Sequence, residues 1–338
     1  MESWLRGQDE SETLPFKRPP ELPQKGGRSS ALADEQDPAV RSSIRKLEQL
    51  GCQVFLPSKE LDKESDKYTS KNPVVDWGQL AGYNEQKQTI EESLLLPLMR
   101  PEVYDEVARG TRDHFQSNRP RAVLFVGPPG TGKTTSARVI SSQACVPLVY
   151  IPLEALVSKW YGESEKSLAS ALEAADGFPE GCIIFLDELD SLATTRSGEM
   201  HEATRRILGV LLRHIDGFDS KKRSIVVGAT NRPQDLDPAL RSRFSTIISF
   251  ELPGEEYRRA ILRKYAHHLK DAEIQALASA TPGMAGRDLK DLCEQAERIW
   301  AAAIIRGEAS SGGLPPLNVY LKAARARLKE MTVPEDLY

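Results

Sequence analysis

The sequence predicts an α/β fold in which a parallel five-stranded sheet is followed by a small all-helical lid. Short apolar segments alternate with amphipathic helical patterns from residue 74 to about residue 253, which is typical of a sheet covered by helices on both faces. A glycine-rich loop joins the apolar segment AVLFV to a helical stretch. After Pro253 and Gly254 only helical patterns follow. We therefore predict an α/β domain over residues 74–253 and a helical lid domain over residues 254–338.

The predicted strands are short runs of Val, Ile, Leu and Phe, as in strands that are buried on both faces. They are AVLFV (122–126), PLVYI (147–151), CIIFL (182–186), SIVVGA (224–229) and TIISF (246–250). The helices of the lid are predicted from apolar residues at helical spacing. They are EEYRRAILRKYAHHL, AEIQALASA, DLKDLCEQAERIWAAAIIRG and LNVYLKAARARLKE.

Residues 1–73 are rich in Pro, Gly, Ser, Lys and Glu, a composition that predicts a mostly disordered N-terminal arm. One segment of the arm, DPAVRSSIRKLEQLG, carries Val40, Ile44, Leu47 and Leu50 at helical spacing. This short helix is predicted to dock on the body of its own chain. A helix that binds a separate partner is the alternative.

Composition and charge restrict the class of partner. The chain has 338 residues, 45 of them basic and 49 acidic, and the net charge of -4 disfavours nucleic acid as a partner. The four cysteines lie far apart without a metal-binding or disulfide pattern, which predicts a reducing compartment, the cytoplasm, with an organelle matrix as the alternative. The sequence holds no apolar run of ~20 residues, so we predict no transmembrane segment.

The segment GPPGTGKT, Gly127–Thr134, fits the phosphate-binding pattern G-x-x-x-x-G-K-[ST] between a strand and a helix. This context predicts a P-loop nucleoside triphosphatase that uses Mg²⁺. Lys133 would reach the terminal phosphates, and the hydroxyl of Thr134 would bind Mg²⁺. The residues predicted to cradle the nucleotide are Gly127, Pro128, Pro129, Gly130, Thr131, Gly132, Lys133, Thr134 and Thr135.

Polar side chains end two further strands. The strand in GCIIFLDELD ends in Asp187 and Glu188, at the sheet edge where open α/β sheets bind ligands. Asp187 would hold Mg²⁺, and Glu188 would polarise the attacking water. The strand in SIVVGATN ends at Asn231, which could contact the γ-phosphate or that water. Taken alone, such an Asn is more often a turn former.

The segment IVVGATNRPQDLDPALRSRFSTIISF, residues 225–250, closely resembles the second region of homology of AAA ATPases. Together with GPPGTGKT and IIFLDELD, it extends the resemblance over about residues 74–335. Within the family the chain resembles the katanin and spastin branch and the mitochondrial membrane-protein extractases. The resemblance implies an enzyme that converts ATP and water to ADP and phosphate.

The resemblance also implies roles for particular residues. Asn231 matches the sensor 1 position. Arg241 and Arg243 match the arginine-finger segment, in which an arginine reaches the γ-phosphate on the neighbouring subunit, and we favour Arg243. A finger that acts in trans implies a homo-oligomer, which we expect to be a hexamer. Arg287, in GMAGRDLKDL, is similar to the sensor 2 arginine of the wider AAA+ group, which reaches from the lid to the phosphates.

Two further segments have counterparts in the family. DWGQLAGYNEQ resembles the loop beside the adenine, which would place Ala81 and Gly82 near the base. KWYGES matches pore loop 1, the loop that lines the channel of a hexamer, and its residues are Lys159, Trp160, Tyr161 and Gly162. Aromatic side chains offer contact area without reading sequence, which suits a peptide substrate. Residues 194–203 are predicted to form a second pore loop.

These expectations favour an oligomeric ring that hydrolyses ATP to remodel, unfold or disassemble protein substrates through an aromatic pore loop. One alternative is a microtubule-severing ATPase, which the katanin and spastin resemblance implies. Another is an ATP-dependent switch or scaffold that binds partners without threading them. A protease of the membrane-bound AAA kind is excluded, because the segment HEATR at His201 does not match H-E-x-x-H.

Overall fold

The computed structural model describes residues 37–57, 83–153, 164–192, 202–217, 224–310 and 312–332. Ala81, Gly82, Lys159, Trp160, Tyr161 and Gly162 lie outside these ranges, and so does the predicted second pore loop apart from its last two residues, which begin a helix. Within the described ranges, none of the helices combines the length and the apolar character that a bilayer span requires.

A six-stranded sheet forms the centre of the α/β part. Its strands are Gln53–Phe55 (β1), Ala122–Val126 (β2), Leu148–Pro152 (β3), Ile183–Asp187 (β4), Ile225–Thr230 (β5) and Thr246–Ser249 (β6). The spatial order is β1-β3-β4-β5-β2-β6, and β2 to β6 pair in parallel. All five predicted strands are present, each beginning within one residue of its predicted start.

The prediction of five strands was wrong by one, because β1 adds a sixth strand to the sheet edge. It runs antiparallel to β3, with Gln53 opposite Tyr150 and Phe55 opposite Leu148. A strand of three residues is too short to show a periodic pattern, and its pairing partner lies far along the chain. The contact that makes it a strand is therefore absent from the local sequence.

Helices cover both faces of this sheet. They are Pro38–Gln49 (α1), Asn84–Ile90 (α2), Leu96–Met99 (α3), Pro101–Thr111 (α4), Lys133–Ala144 (α5), Ser164–Asp176 (α6), Glu202–Asp216 (α7) and Pro238–Arg241 (α8). A π-helical turn, Glu91–Leu95, joins α2 to α3. Along β2 the buried side chains alternate: Leu124 belongs to the core beneath α1, α6 and α7, whereas Val123 and Phe125 belong to the core beneath α2 and α5.

Helix α1 packs on the body of its own chain. Asp37 caps its first turn by accepting a hydrogen bond from the backbone nitrogen of Ala39 at 2.8 Å. Val40 and Leu47 are buried in the same core cluster as residues of α6, and Lys46 lies 3.4 Å from Glu173 of that helix. The described residues 37–57 thus form α1 and β1, within the range predicted to be the arm. The three domain boundaries themselves stay predictions.

The C-terminal part contains the four predicted helices. They are Glu255–Tyr265 (α9), Asp271–Ser279 (α10), Gly286–Ile305 (α11) and Leu317–Thr332 (α12). Their apolar faces form a separate core that includes Leu262, Leu277 and Tyr320. Arg258 is buried in this part, where its guanidinium donates hydrogen bonds to the carbonyl oxygens of Pro253 and Ala278. This arginine ties the start of the lid to α10.

Candidate functional site

Glycines allow the backbone of the loop between β2 and α5 to adopt positive φ angles and to approach other segments closely. Gly127 and Gly130 have φ angles of 146° and 76°. A Cβ atom on Gly127 would lie 2.0 Å from the carbonyl oxygen of Phe250, and one on Gly130 would lie 2.9 Å from the Cβ atom of Arg287. The close approach of Phe250, which follows β6, and of the lid therefore requires glycine at these two positions. The loop ends at Gly132, and α5 begins at Lys133.

Lys133 is only 7% exposed, and its ammonium is held inside the loop. It donates hydrogen bonds to the carbonyl oxygens of Gly127 and Pro128, at 2.7 and 2.8 Å, and to Oδ1 of Asn231 at 2.8 Å. Burial lowers the pKa of Lys133, although the charges of Asp187 and Asp190 act in the opposite direction. The predicted sensor asparagine thus lies directly beside the predicted phosphate-binding lysine.

Thr134 and Asp187 provide two oxygen ligands of the kind expected for a metal ion. The Thr134 hydroxyl donates a hydrogen bond to Oδ2 of Asp187 at 3.1 Å, and this contact joins the first turn of α5 to the end of β4. Hydroxyl and carboxylate oxygens are the ligands that Mg²⁺ prefers in proteins. The residues present therefore fit a magnesium ion at this sheet edge.

Glu188 follows β4 in a strained conformation. Its φ angle is 54°, in the left-handed region, and its backbone nitrogen donates to Oδ1 of Asp187 at 3.0 Å. A non-glycine residue in this region costs about 1 to 3 kcal/mol, and such residues cluster at functional sites. The exposed side chain of Glu188 lines the same cavity as Thr134 and Asp187.

Asp190 is a site residue that the sequence argument missed. Its Oδ1 accepts hydrogen bonds from the Thr230 hydroxyl at 2.7 Å and from the backbone nitrogen of Asn231 at 3.3 Å. These bonds fix the end of β5, the strand that Asn231 directly follows. The available signal was a second carboxylate two residues beyond Glu188, next to a strand that precedes another site residue.

One cavity of about 550 Å³, between the carboxyl edge of the sheet and the lid, is lined by Lys133, Thr134, Asp187, Glu188 and Asn231. Its sheet side consists of residues 129–135 together with Asp187, Glu188 and Asn231, and its lid side includes residues of α9 and α11. Arg287 lies at the start of α11, where its backbone nitrogen donates to the carbonyl oxygen of Gly130 at 3.2 Å. The structure therefore brings the predicted phosphate-binding, metal-binding and sensor residues together.

Tyr83 is a second residue that the sequence argument missed, although it directly follows Ala81 and Gly82. It lines the cavity, and its hydroxyl donates to the carbonyl oxygen of Glu251 at 2.7 Å. Its ring lies 5.8 Å from that of Phe250 and 6.1 Å from that of Tyr257. Burial raises the pKa of Tyr83 to about 12, so the phenol is protonated near neutral pH.

The two arginines of the predicted finger segment lie on the surface of the chain and not in the cavity. Arg241 and Arg243 are both exposed, and neither is among the described residues that line the cavity of their own chain. Arg243 pairs with Asp216 at the end of α7, where its Nε lies 2.6 Å from Oδ1. The structure thus leaves both guanidinium groups outside the cavity that holds Lys133.

Residues 123–252 match the model of the ATPase family associated with various cellular activities (AAA). The chain is 40% identical over 228 residues to Fidgetin-like protein 1 of Drosophila melanogaster, covering 66% of this chain and 42% of that protein. It is 35% identical over 233 residues to Spastin of Naegleria gruberi, covering 67% of this chain and 43% of that protein.

Among solved structures, the crystal structure of the FIGL-1 AAA domain in complex with ADP matches with a TM-score of 0.64 and 30% identity, over 79% of this chain and 88% of that one. The chain therefore belongs to the AAA family of ATPases. Within that family it is of the fidgetin and spastin type, which confirms the predicted family and enzyme class. It spans 42% and 43% of the length of the two curated relatives named above.

Proposed function

We propose that the chain is one subunit of an oligomeric ring that hydrolyses ATP to remodel protein substrates. The observation that carries this proposal is the distribution of charged groups around the nucleotide cavity. Lys133, Glu188, Asn231 and Arg287 contact or line the cavity, whereas Arg243 is exposed elsewhere on the chain. A second chain whose Arg243 reached this cavity would complete the set of groups that phosphoryl transfer requires.

The glycine loop and Lys133 would bind the phosphates of ATP. The backbone nitrogens of such a loop lie at a helix N-terminus, which favours negative charge. Phosphate oxygens would replace the carbonyl oxygens that now accept hydrogen bonds from the Lys133 ammonium. The crystal structure of the related FIGL-1 AAA domain is a complex with ADP, which supports nucleotide binding by this chain.

Thr134 and Asp187 would hold Mg²⁺, which when bound supplies positive charge to the phosphate oxygens. Glu188 would accept a hydrogen bond from the attacking water and orient it, because phosphoryl transfer depends mainly on positioning and charge. Asn231 would position that water or the γ-phosphate, and its own position is fixed through Asp190. Arg287 would reach the phosphates from the lid.

The remaining parts of the proposal concern the assembly and its substrate. We propose a hexamer in which Arg243, with Arg241 as the alternative, acts on the neighbouring nucleotide. Trp160 and Tyr161 would grip an extended polypeptide in the central channel. Location in a reducing compartment stays a prediction.

The substitution Glu188→Gln tests the catalytic part. It keeps the size of the side chain and removes its charge, so ATP should still bind and drive oligomer formation while turnover falls by at least about a hundredfold. Phosphate release and light scattering measure the two effects. Turnover close to that of the unmodified chain would show that Glu188 is not the group that activates water.

The paired substitution of Trp160 and Tyr161 by Ala tests the substrate part. Substrate processing should be lost while ATP hydrolysis persists. The match to Spastin favours microtubule severing as a second candidate function. Cosedimentation of the Glu188→Gln protein with microtubules in the presence of ATP distinguishes that function from remodelling of other proteins. Processing that survives the paired substitution would show that the pore assignment is wrong, whereas partner binding that is insensitive to it would favour a switch or scaffold.

A further inference from the structure

The first two turns of α11 form part of the wall of the nucleotide cavity. Arg287 and Asp291 both line the cavity, and the backbone of Arg287 is joined to Gly130 of the phosphate-binding loop. Any displacement of this part of α11 would therefore move three charged side chains, those of Arg287, Lys290 and Asp291, relative to the nucleotide. What holds these turns in place determines how accurately the lid meets the phosphates.

Asp288, which lies between Arg287 and Asp291, is anchored in two directions. Its Oδ2 accepts a hydrogen bond from the backbone nitrogen of Ala285 at 3.0 Å and so caps the helix. Its Oδ1 accepts a hydrogen bond from Nη2 of Arg327 at 2.8 Å. The same carboxylate therefore begins α11 and attaches it to α12, the last helix of the lid.

Arg327 lies beside both of these turns. Its Nη2 also lies 4.0 Å from Oδ2 of Asp291, and its Nη1 lies 3.3 Å from Glu330. The side chain is 33% exposed, and the hydrogen bond with Asp288 is the largest cause of its raised pKa. A charge-assisted hydrogen bond of this kind fixes geometry better than a fully exposed ion pair does.

We propose that Arg327 is a positioning residue for the nucleotide. By holding Asp288, it fixes the first turn of α11 and so sets the position of Arg287. This inference rests on the proposed role of Arg287. It makes the far end of the chain, α12, part of the apparatus by which the lid meets the nucleotide.

Steady-state ATP hydrolysis by the whole chain, with MgATP as the varied substrate, tests the inference. Arg327→Gln removes the charge, Arg327→Lys keeps the charge without the planar fork, and Asp288→Asn weakens the acceptor. Arg325→Gln is the matched control, because Arg325 is exposed and lies two residues away, on the opposite side of the same helix. Thermal unfolding without nucleotide reports the stability of each variant.

We expect Arg327→Gln to raise KM for ATP about fivefold, with a smaller change in kcat and with Arg325→Gln unchanged. Arg327→Lys should recover part of the loss, and Asp288→Asn should raise KM in the same direction. In the double variant with Arg287→Ala, Arg327→Gln should add little, since both changes act on one contact.

Two results would overturn the inference separately from the proposed function. If Arg287→Ala raises KM and Arg327→Gln does not, or if the two effects multiply in full, Arg327 does not act through Arg287. If Arg287→Ala leaves KM unchanged, the proposed role of Arg287 is wrong, and the inference is wrong with it. Should Arg327→Gln fail to fold, KM for ATP is compared in the same way for Arg327→Lys and Asp288→Asn, each with and without Arg287→Ala.

Discussion

Lys133 shows how the site is prepared for a charged ligand. A buried ammonium is costly unless it is paired, and here its partners are two backbone carbonyls and an amide oxygen, none of which carries a full charge. Its pKa is accordingly lowered by burial. Phosphate oxygens would provide negatively charged partners. We therefore expect nucleotide binding to raise the pKa of Lys133.

Substitution of Asp190 tests whether the fixed end of β5 contributes to catalysis. Asp190→Ala removes the acceptor that fixes Thr230 and the backbone of Asn231, so kcat for ATP should fall about tenfold or more. Asp190→Asn keeps an oxygen at this position and should recover part of the activity. Steady-state phosphate release measures both variants. Equal activity of Asp190→Ala and the unmodified chain would show that the fixed end of β5 does not contribute to catalysis.

The site residues that could be predicted from the sequence are those that belong to a motif of neighbouring positions or directly end an apolar strand. Gly127 to Thr134 form a pattern of eight adjacent positions, and Asp187 ends an apolar strand. Asp190 and Tyr83 were missed because their roles depend on neighbours distant in sequence, Thr230 for one and Glu251 for the other. A lone Asp or Tyr carries no local signal of such a contact.

At the scale of elements, α1 is part of the core of the sheet domain. Leu47 is fully buried between α1 and the sheet domain, so Leu47→Ala should lower the free energy of unfolding by about 2 to 5 kcal/mol through the cavity that it leaves. Glu48→Ala, at an exposed neighbouring position, is the control and should change stability little. Urea unfolding followed by circular dichroism compares the two. Equal midpoints would mean that α1 does not pack on the body of the chain.

Strands and helices were likewise predictable where the signal lies in their own residues. The strands β2 to β6 have strong apolar signals, and each was predicted to within a residue of its start. Helix α1 was predicted from the spacing of its apolar residues. Its docking on its own chain was also predicted, with binding of a separate partner as the alternative. Strand β1 was missed because only the edge of β3 makes QVF a strand. Short edge strands depend on tertiary pairing more than on propensity.

At the scale of the whole molecule, the separation of Arg243 from the cavity is the main argument for assembly. In the single chain this arginine pairs with Asp216, a partly exposed pair of the kind that contributes little to stability. Arg243→Ala should therefore leave folding nearly unchanged and lower ATP turnover by about a thousandfold, the usual contribution of an arginine finger. Thermal unfolding measures the stability of this variant, and phosphate release from the same preparation measures its ATP turnover. A large loss of stability with little loss of turnover would assign Arg243 a structural role instead.

The most direct test of the account mixes two inactive variants. Glu188→Gln lacks the group that activates water and keeps Arg243, whereas Arg243→Ala keeps Glu188 and lacks the finger. If each active site is completed by a neighbouring subunit, mixed rings contain junctions with both groups intact, and the mixture should hydrolyse ATP well above the sum of the separate activities. Turnover no greater than that sum, together with a specific activity of the unmodified chain that does not rise with protein concentration, would contradict the account.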